Sequence, residues 1–426
     1  MTTNIVPAEA VIYAYQVGFG DCFLLRFIYS EKSHKHVLID FGTTGLPQDV
    51  AADQMLVIAQ DIKEKCGGVL DAVVATHRHA DHISGFATKA NGKGSGDIIR
   101  SMNPKVVIQP WTEQPDLPTD ATAPRAARKQ SLALQKMGLT AERVVQQLDA
   151  APNSVNAELA ARIRFVGEDN IANVSAVKNL ASMSKKSVYT YHGAPSGLEG
   201  VLPGVTTHVL GPPTLAQTDS IRQQRAKDPN EFWQLHLNRM QADTLLIGKG
   251  GNLFPGHPFR SGGKLPMSSR WLASRLRDVR GEQLQQIVRI LDDQMNNTSL
   301  ILLFEAGGKK LLFPGDAQIE NWRFALVNPT VNALLQDVDL YKVGHHGSLN
   351  ATPRSMWGEF KNRGGAGKKG RLKTVMSTRP GKHGSDKSNT EVPRRTLLHA
   401  LESESEMHST HLLESGKLYE EIHLKL

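Results

Sequence analysis

Cysteine is scarce in this sequence: Cys22 and Cys66 are the only two in 426 residues. Two cysteines cannot build the disulfide framework that stabilises many small secreted proteins. The sequence also lacks any run of roughly 20 apolar residues that would span a membrane, and it does not open with the basic and apolar regions of a secretory signal. We therefore expect a cytoplasmic protein with no membrane partner.

Neither sign of charge dominates most of the chain, because the positive excess is confined to one segment. Between residues 361 and 395, eleven Lys and Arg residues stand against Asp386 and Glu391, a formal charge of +9, whereas the whole chain carries +8. A basic segment of this kind is typical of contact with nucleic acid or another polyanion. A solvated, Lys-rich loop is an equally good interpretation, so both stay open.

The distribution of apolar residues predicts a folded protein with strands towards both ends of the chain. Apolar residues make up 40% and charged residues 22%, which excludes disorder throughout. Short apolar runs between Gly-rich or charged turns predict strands at 10–17, 22–29, 36–42, 69–76, 106–110, 205–210, 299–305, 310–313, 339–343 and 372–377. Helical spacing predicts helices at 48–65, 121–148, 268–295 and 391–401, and in parts of 212–243.

Four potential metal ligands follow the buried strand predicted at 69–76. His77, His79, Asp81 and His82 lie within six residues. Neutral imidazole and carboxylate are ligands that zinc and related divalent ions prefer. In an extended loop His77 and His79 point the same way and can hold one ion, while Asp81 and His82, on the turn into a helix, can reach a second. We expect one or two divalent ions, with zinc as the first choice and manganese as the second.

This run resembles the signature of the metallo-β-lactamase superfamily. Three other segments fall in the order of that family: Asp40 with Phe41 and Gly42 matches an aspartate that supports the metals, Asp316 matches one that bridges them, and 343–348 matches the last histidine motif. The resemblance implies an α+β fold, a four-layer αββα sandwich with a large helical insertion. The two halves of the domain would be 1–110 and 297–426, and the insertion 111–296, with one core strand near 205–210.

A narrower resemblance concerns the class of substrate. Segments 17–21, 296–300 and 342–348 look like the soluble hydrolase domain of competence-type DNA-uptake proteins, and 377–401 loosely resembles the end of that domain. With the basic segment 361–395, this favours a phosphodiesterase or nuclease-like enzyme that uses a metal-activated water. Two alternatives remain: a small-molecule ester, lactone or β-lactam hydrolase, and a metal-poor module that binds nucleic acid or protein.

The family pattern has one gap, at the place where many members carry a further histidine for the first metal. This chain has Asn296, Asn297, Thr298 and Ser299 there. The sequence therefore predicts an unequal pair of sites, with His77 and His79 one protein ligand short. His192, His208 and His257 lie in the insertion and are weaker candidates to replace the missing histidine.

The resemblance also implies roles for the remaining motif residues. His345 and His346 are adjacent, so we expect only one to point into the site, with His345 preferred as the ligand and His346 as a substrate contact. Asp81, His346 and His383 are the candidate catalytic residues. The residues expected to support the metal ligands are Asp21, Asp40, Asn297 and Ser299.

Overall fold

The computed structural model describes residues 5–48, 50–114, 173–214, 217–218, 296, 298–348, 352–383 and 391–426. This part of the chain contains thirteen strands and eight α-helices, arranged around two mixed sheets. The helices predicted at 121–148 and 268–295, and nearly all of 212–243, lie outside the described residues. The expectation of a mixed helix and sheet architecture is confirmed.

Seven strands form the first sheet. They are β1 (Glu9–Tyr15), β2 (Cys22–Ser30), β3 (Ser33–Phe41), β4 (Ala72–Val74), β5 (Val106–Pro110), β6 (Ser187–Thr190) and β13 (Tyr419–Lys425). Their order across the sheet is β13-β1-β2-β3-β4-β5-β6. The strands from β13 to β3 pair antiparallel, and those from β3 to β6 pair parallel.

Six strands form the second sheet. They are β7 (Thr206–Gly211), β8 (Ile301–Ala306), β9 (Lys309–Phe313), β10 (Leu340–Lys342), β11 (Lys373–Met376) and β12 (Glu406–Ser409). Their order is β12-β11-β10-β9-β8-β7, and the pairs from β9 to β12 are parallel. A tight hairpin joins β8 to β9. Its turn residues Gly307 and Gly308 have φ values of 56° and 80°, a left-handed conformation that glycine adopts without steric cost.

The two sheets bury their facing sides against each other. Side chains of the first sheet, such as Phe23 and Ile39, belong to the same buried apolar cluster as Leu302 and Phe313 of the second. Because successive side chains of a strand point to opposite faces, the other half of each strand must be covered on the outside. This arrangement places the main core between the sheets.

Helices supply the outer cover of both sheets. The helices beside the first sheet are α1 (Gln54–Lys65), α3 (Ser95–Ser101) and α4 (Val174–Ser182). Those beside the second are α5 (Ile319–Leu326), α6 (Pro329–Gln336), α7 (Arg354–Glu359) and α8 (Arg395–Glu404). The short α2 (Ala80–Ile83) lies at one end of the sheets. The described residues therefore form four layers, helix, sheet, sheet and helix.

One strand and one helix boundary differ from the sequence prediction. The described part of segment 111–296 contains two strands, β6 and β7, where one was expected, since β6 extends the first sheet beside β5. Four residues, 187–190, are too few to show a periodic pattern in the sequence. The helix expected at 391–401 begins only at Arg395. Among the described helices, none combines the length and apolar character needed to cross a membrane.

Candidate metal centre

The histidine-rich run lies where the parallel strands of the first sheet end. His77 and His79 follow β4 in an extended loop, and Asp81 and His82 are in α2; all four side chains are buried. A close approach between β3 and α2 brings this helix to the sheet. A Cβ on Gly42 would lie 2.5 Å from the carbonyl oxygen of Ala80, so glycine is required there.

Two further groups reach this point from the second sheet. Asp316 follows β9, and His346 lies in a one-turn 3₁₀ helix after β10. His345 and His346 have φ values of 42° and 53°, a conformation that non-glycine residues seldom adopt and that is common at functional sites. The carboxyl ends of the parallel strands in both sheets thus meet at one edge, which is where α/β sheets usually bind ligands.

Asp81, His82, Asp316 and His346 form a compact buried group, here called the four-residue group. One ligand atom from each lies within 4.8 Å of the others. The Nε2 atom of His82 is 3.0 Å from Asp316 Oδ2, and the Nε2 atom of His346 is 3.0 Å from Asp81 Oδ2. Two imidazoles and two carboxylates are a donor set that suits zinc or manganese.

A second group contains His77, His79 and Asp81, again within 4.8 Å. His77 Nε2 lies 3.1 Å from His79 Nδ1. Asp81 belongs to both groups, whereas the family pattern gives the shared position to Asp316. The Oδ1 atom of Asp81 is buried and has no hydrogen-bond partner, which is costly unless a cation or a donor is bound there. The residues present therefore fit a divalent cation.

The structure distinguishes the two adjacent histidines. His346 is fully buried and belongs to the four-residue group. His345 is partly exposed, outside that group, with Nε2 3.8 Å from Asp316 Oδ2. The difference arises from the left-handed turn at these residues, which directs His346 towards the core and which no sequence pattern reveals. Geometry thus favours His346 as the ligand, where the sequence favoured His345.

Asp40 orients His82 from behind. Its Oδ2 atom accepts hydrogen bonds from His82 Nδ1 at 2.7 Å and from Thr76 Oγ1 at 2.7 Å, while its Oδ1 atom accepts one from the Thr76 amide at 2.7 Å. With Nδ1 donating to a carboxylate, the Nε2 lone pair of His82 is available to a metal. This is the usual way in which a carboxylate fixes the tautomer of a metal-binding histidine. Asp40 therefore lies where a supporting residue was predicted.

Asp21 also lies beside the ligands, but its main partner is one that the sequence interpretation missed. Its carboxylate forms a buried ion pair with Lys342, and its Oδ1 atom is 3.6 Å from His346 Nδ1. Asp21 and Asp40, with His82, form a third set of potential ligands. We regard it as support for the metals, since both carboxylates already have partners. The available signal for Lys342 was its position inside the strand predicted at 339–343.

The buried charges strongly perturb one another. Burial lowers the pKa values of His82 and His346, but the nearby carboxylates, Asp316 foremost, outweigh it and raise both. Burial raises the pKa of Asp81, but the adjacent imidazoles, His82 foremost, hold it well below its usual range. For His77, burial and the neighbouring histidines lower the pKa. The carboxylates thus create a negative potential around His82 and His346, and the same potential favours a bound cation.

Other predicted residues lie nearby or elsewhere. Ser299 is buried next to the turn that carries Asp316, and Asn297 lies outside the described residues. His383 is half-buried, with its ring 4.4 Å from that of Phe19, which in turn lies 4.3 Å from the ring of His346. His383 is therefore at the border of the site.

Of the candidate replacement histidines, His192 and His208 do not complete the second group. His192 is hydrogen-bonded through Nδ1 to the carbonyl of Leu210 at 2.9 Å, and His208 pairs with Glu305 at 3.1 Å. Neither belongs to a group of potential metal ligands in the described chain. His257 lies outside the described residues. Within the part of the chain that the structure describes, the His77 and His79 side thus gains a carboxylate, from Asp81, rather than a third histidine.

Much of the basic segment 361–395 has intramolecular partners. Ion pairs join Arg363 to Glu404, Lys373 to Glu406, and Arg394 to Glu391. Arg371 donates to carbonyl oxygens of residues 364, 402 and 403. These contacts join the segment to α8 and β12. Because acidic partners neutralise some of its Lys and Arg side chains, the formal charge of the segment overstates the positive charge available to a polyanion. The structure therefore gives nucleic-acid binding no support of its own.

No model of a known protein family matches this chain, and no curated protein matches it. What the structure establishes by itself is a buried cluster of His and Asp residues, at an edge shared by two sheets, that can hold a metal ion.

Proposed function

We propose that this chain is a metal-dependent hydrolase of the metallo-β-lactamase fold, with phosphodiesters as its substrates. The observation that carries the proposal is the four-residue group, whose ligand atoms lie within 4.8 Å of one another although they come from both sheets. The four layers and the order of the motifs along the chain support the family assignment. Fold alone does not define a reaction, so the argument for hydrolysis rests on the site.

Each group of ligands has a place in this proposal. Asp81, His82, Asp316 and His346 would hold one ion, and His77, His79 and Asp81 would hold a second, weaker one. The chemistry that such ions supply when bound is acidification of water to a pKa near 7 and polarisation of the scissile oxygen. Zinc is preferred because imidazole contributes half or more of each ligand set.

The protein's own residues would orient and assist. Asp40 accepts from the Nδ1 atom of His82, and the Ser377 carbonyl accepts from the Nδ1 atom of His346 at 3.0 Å, so in each ring Nε2 is the atom that would bind a metal. Asp81 Oδ1, a buried acceptor without a hydrogen-bond partner, would take a hydrogen bond from the attacking water. His383, held against Phe19 at the border of the site, would contact the substrate.

The preference for an anionic substrate comes from the loop that carries His383. The side chains of Lys382 and Arg379 pass within 3.3 Å of the Cβ position of Gly45, so this loop packs against the loop after β3 beside the site. Cations next to a metal centre suit a phosphoryl group, whose charge grows or redistributes during cleavage. A phosphodiester carries negative charge before the reaction begins, so these cations would also help to bind it, whereas a neutral ester or lactone would be helped only as charge develops.

Metal analysis combined with substrate comparison tests the proposal. The purified chain, reconstituted with zinc or manganese, should hold at least one ion and should hydrolyse bis-p-nitrophenyl phosphate. His79→Ala and Asp316→Ala should each abolish hydrolysis and leave the protein folded, whereas His192→Ala serves as the matched control. Metal content well below one ion per chain would refute the enzyme proposal. Rapid turnover of a lactone or thioester without phosphodiester cleavage would refute the substrate class alone.

A further inference from the structure

A lysine is buried directly behind the metal centre. Lys342, the last residue of β10, has only 1% of its surface exposed. Its ammonium group pairs with Asp21, lies 3.6 Å from Asp316 Oδ1, and donates to the carbonyl oxygen of Gly315 at 3.2 Å. Burying an ammonium group is unfavourable unless charges and hydrogen bonds compensate it, and here three oxygens do so.

The Lys342–Asp21 pair contacts the ligands of both sheets. Asp21 Oδ1 lies 3.6 Å from His346 Nδ1, and the Asp21 amide donates to the carbonyl oxygen of Asp81 at 2.8 Å. Lys342 itself reaches Asp316 and the residue before it. Because Asp21 Oδ2 also lies 3.7 Å from His82 Nδ1, the pair contacts all four members of the four-residue group from outside.

Asp316 shows what this contact does. Its Oδ1 atom accepts a hydrogen bond from the His345 amide at 3.1 Å and faces the ammonium group of Lys342. Its Oδ2 atom faces three histidine ring nitrogens, His82 Nε2 at 3.0 Å, His346 Nε2 at 3.7 Å and His345 Nε2 at 3.8 Å. Oδ1 of Asp316 thus contacts the backbone and Lys342, whereas Oδ2 points towards the other potential metal ligands.

We propose that Lys342 is a positioning residue of the metal centre: with Asp21 it holds Asp316 Oδ1, so that Asp316 presents only Oδ2 to the metal. The inference rests on the proposed metal site. It further implies that Asp81, which belongs to both groups of potential ligands, would be the carboxylate that the two groups share. Groups that orient metal ligands typically contribute 10- to 100-fold to metal affinity.

The test compares three variants by their binding of Co²⁺, which reports coordination through its visible absorption spectrum. Lys342→Met keeps the length and apolar stem of the side chain and removes the charge. Asp21→Asn combined with Lys342→Met removes both charges of the pair. Lys309→Met is the matched control. Lys309 lies in the neighbouring strand β9, pairs with Asp339 at 2.7 Å, and is not among the potential metal ligands. Affinity is measured by competition with a chelator, and stability by thermal unfolding of the metal-free proteins.

We expect Lys342→Met to bind Co²⁺ roughly 10- to 100-fold more weakly, with an altered spectrum. The double variant should recover thermal stability, because it leaves no unpaired carboxylate at Asp21, but not the affinity or the spectrum. Lys309→Met should match the wild type in affinity and spectrum.

The outcomes separate this inference from the proposed function. A wild-type protein that takes up no Co²⁺ would refute the metal centre itself. Normal uptake by the wild type, with affinity and spectrum unchanged in Lys342→Met, would refute only the positioning role. If Lys342→Met does not fold, the double variant decides, since wild-type affinity in it would show that the pair is merely structural.

Discussion

Replacing Asp40 by asparagine should reverse the tautomer of His82 while leaving the backbone unchanged. Asp40 has a φ of 55°, and asparagine is among the few residues that tolerate this conformation. The new amide oxygen can still accept from the Thr76 amide, and the amide nitrogen can donate to Thr76 Oγ1. That nitrogen then faces His82 Nδ1, at the position where a carboxylate oxygen now lies 2.7 Å away. A donor there requires Nδ1 to accept, which moves the proton to Nε2.

The expected magnitude follows from this exchange. Nε2 is the atom that faces Asp316 at 3.0 Å and would bind the metal, so a proton on it competes with the ion. The loss of affinity should be about 10- to 100-fold, which corresponds to roughly 1.4 to 2.7 kcal/mol. Because the hydrogen bonds at this position lose their charged acceptor, the metal-free protein should be destabilised by about 1 kcal/mol, the typical difference between a charged and a neutral hydrogen bond.

Zinc affinity, measured by chelator competition, and urea unfolding of the metal-free protein provide the assay. Asp71→Asn is the matched control, because Asp71 is another buried carboxylate, accepting from the His36 amide at 3.0 Å, but is not part of the metal centre. Both variants should lose stability, and only Asp40→Asn should lose zinc affinity. Equal zinc affinity in the two variants would show that Asp40 does not orient His82, and the reasoning would be wrong.

Three other predictions concern different parts of the molecule. Burial lowers the pKa of His36 to about 4, so below pH 6.5 the unfolded chain binds a proton that the folded chain does not bind. The free energy of unfolding should therefore fall by about 3 kcal/mol from pH 6.5 to pH 4. His36→Gln should reduce this pH dependence, as measured by urea unfolding. Gly42→Ala should cost about 1 to 3 kcal/mol in thermal unfolding and weaken metal binding, because its Cβ would meet the backbone of α2; Gly358→Ala, in open space in α7, should do neither. His208→Ala should leave the metal content unchanged, and a lost ion would contradict the assignment of that histidine to its pair with Glu305.

The sequence predicts those parts of the fold that have a local signal. The strands β1, β2 and β3 were recognisable because apolar and β-branched residues cluster between turns, and the histidine-rich run was recognisable because its residue types are rare together. The strand β13 was missed although Ile422 and Leu424 alternate with exposed residues; the pattern is short, and its partner β1 is remote in sequence. Pairing at such a distance depends on the whole fold rather than on neighbouring residues.

The site illustrates the same limit. Which of His345 and His346 enters the cluster depends on two left-handed residues in succession, a backbone feature that the residue types do not specify. The pairing of Lys342 with Asp21 joins residues of opposite halves of the chain, and only the packing of the two sheets brings them together. The potential metal ligands of the histidine-rich run could thus be predicted from residue types and spacing, whereas the contacts that support them could not.

The antiparallel pairing of β1 with β13 has a consequence for how the protein is made. All seven residues of β1, from Glu9 to Tyr15, find partners in β13. During synthesis, β1 leaves the ribosome long before β13, and its outer edge stays without this partner until the β13 segment has also emerged. An unpaired edge invites strands from other chains, so the nascent protein should be most prone to aggregation, and most dependent on chaperones, in the interval between the emergence of β1 and that of β13.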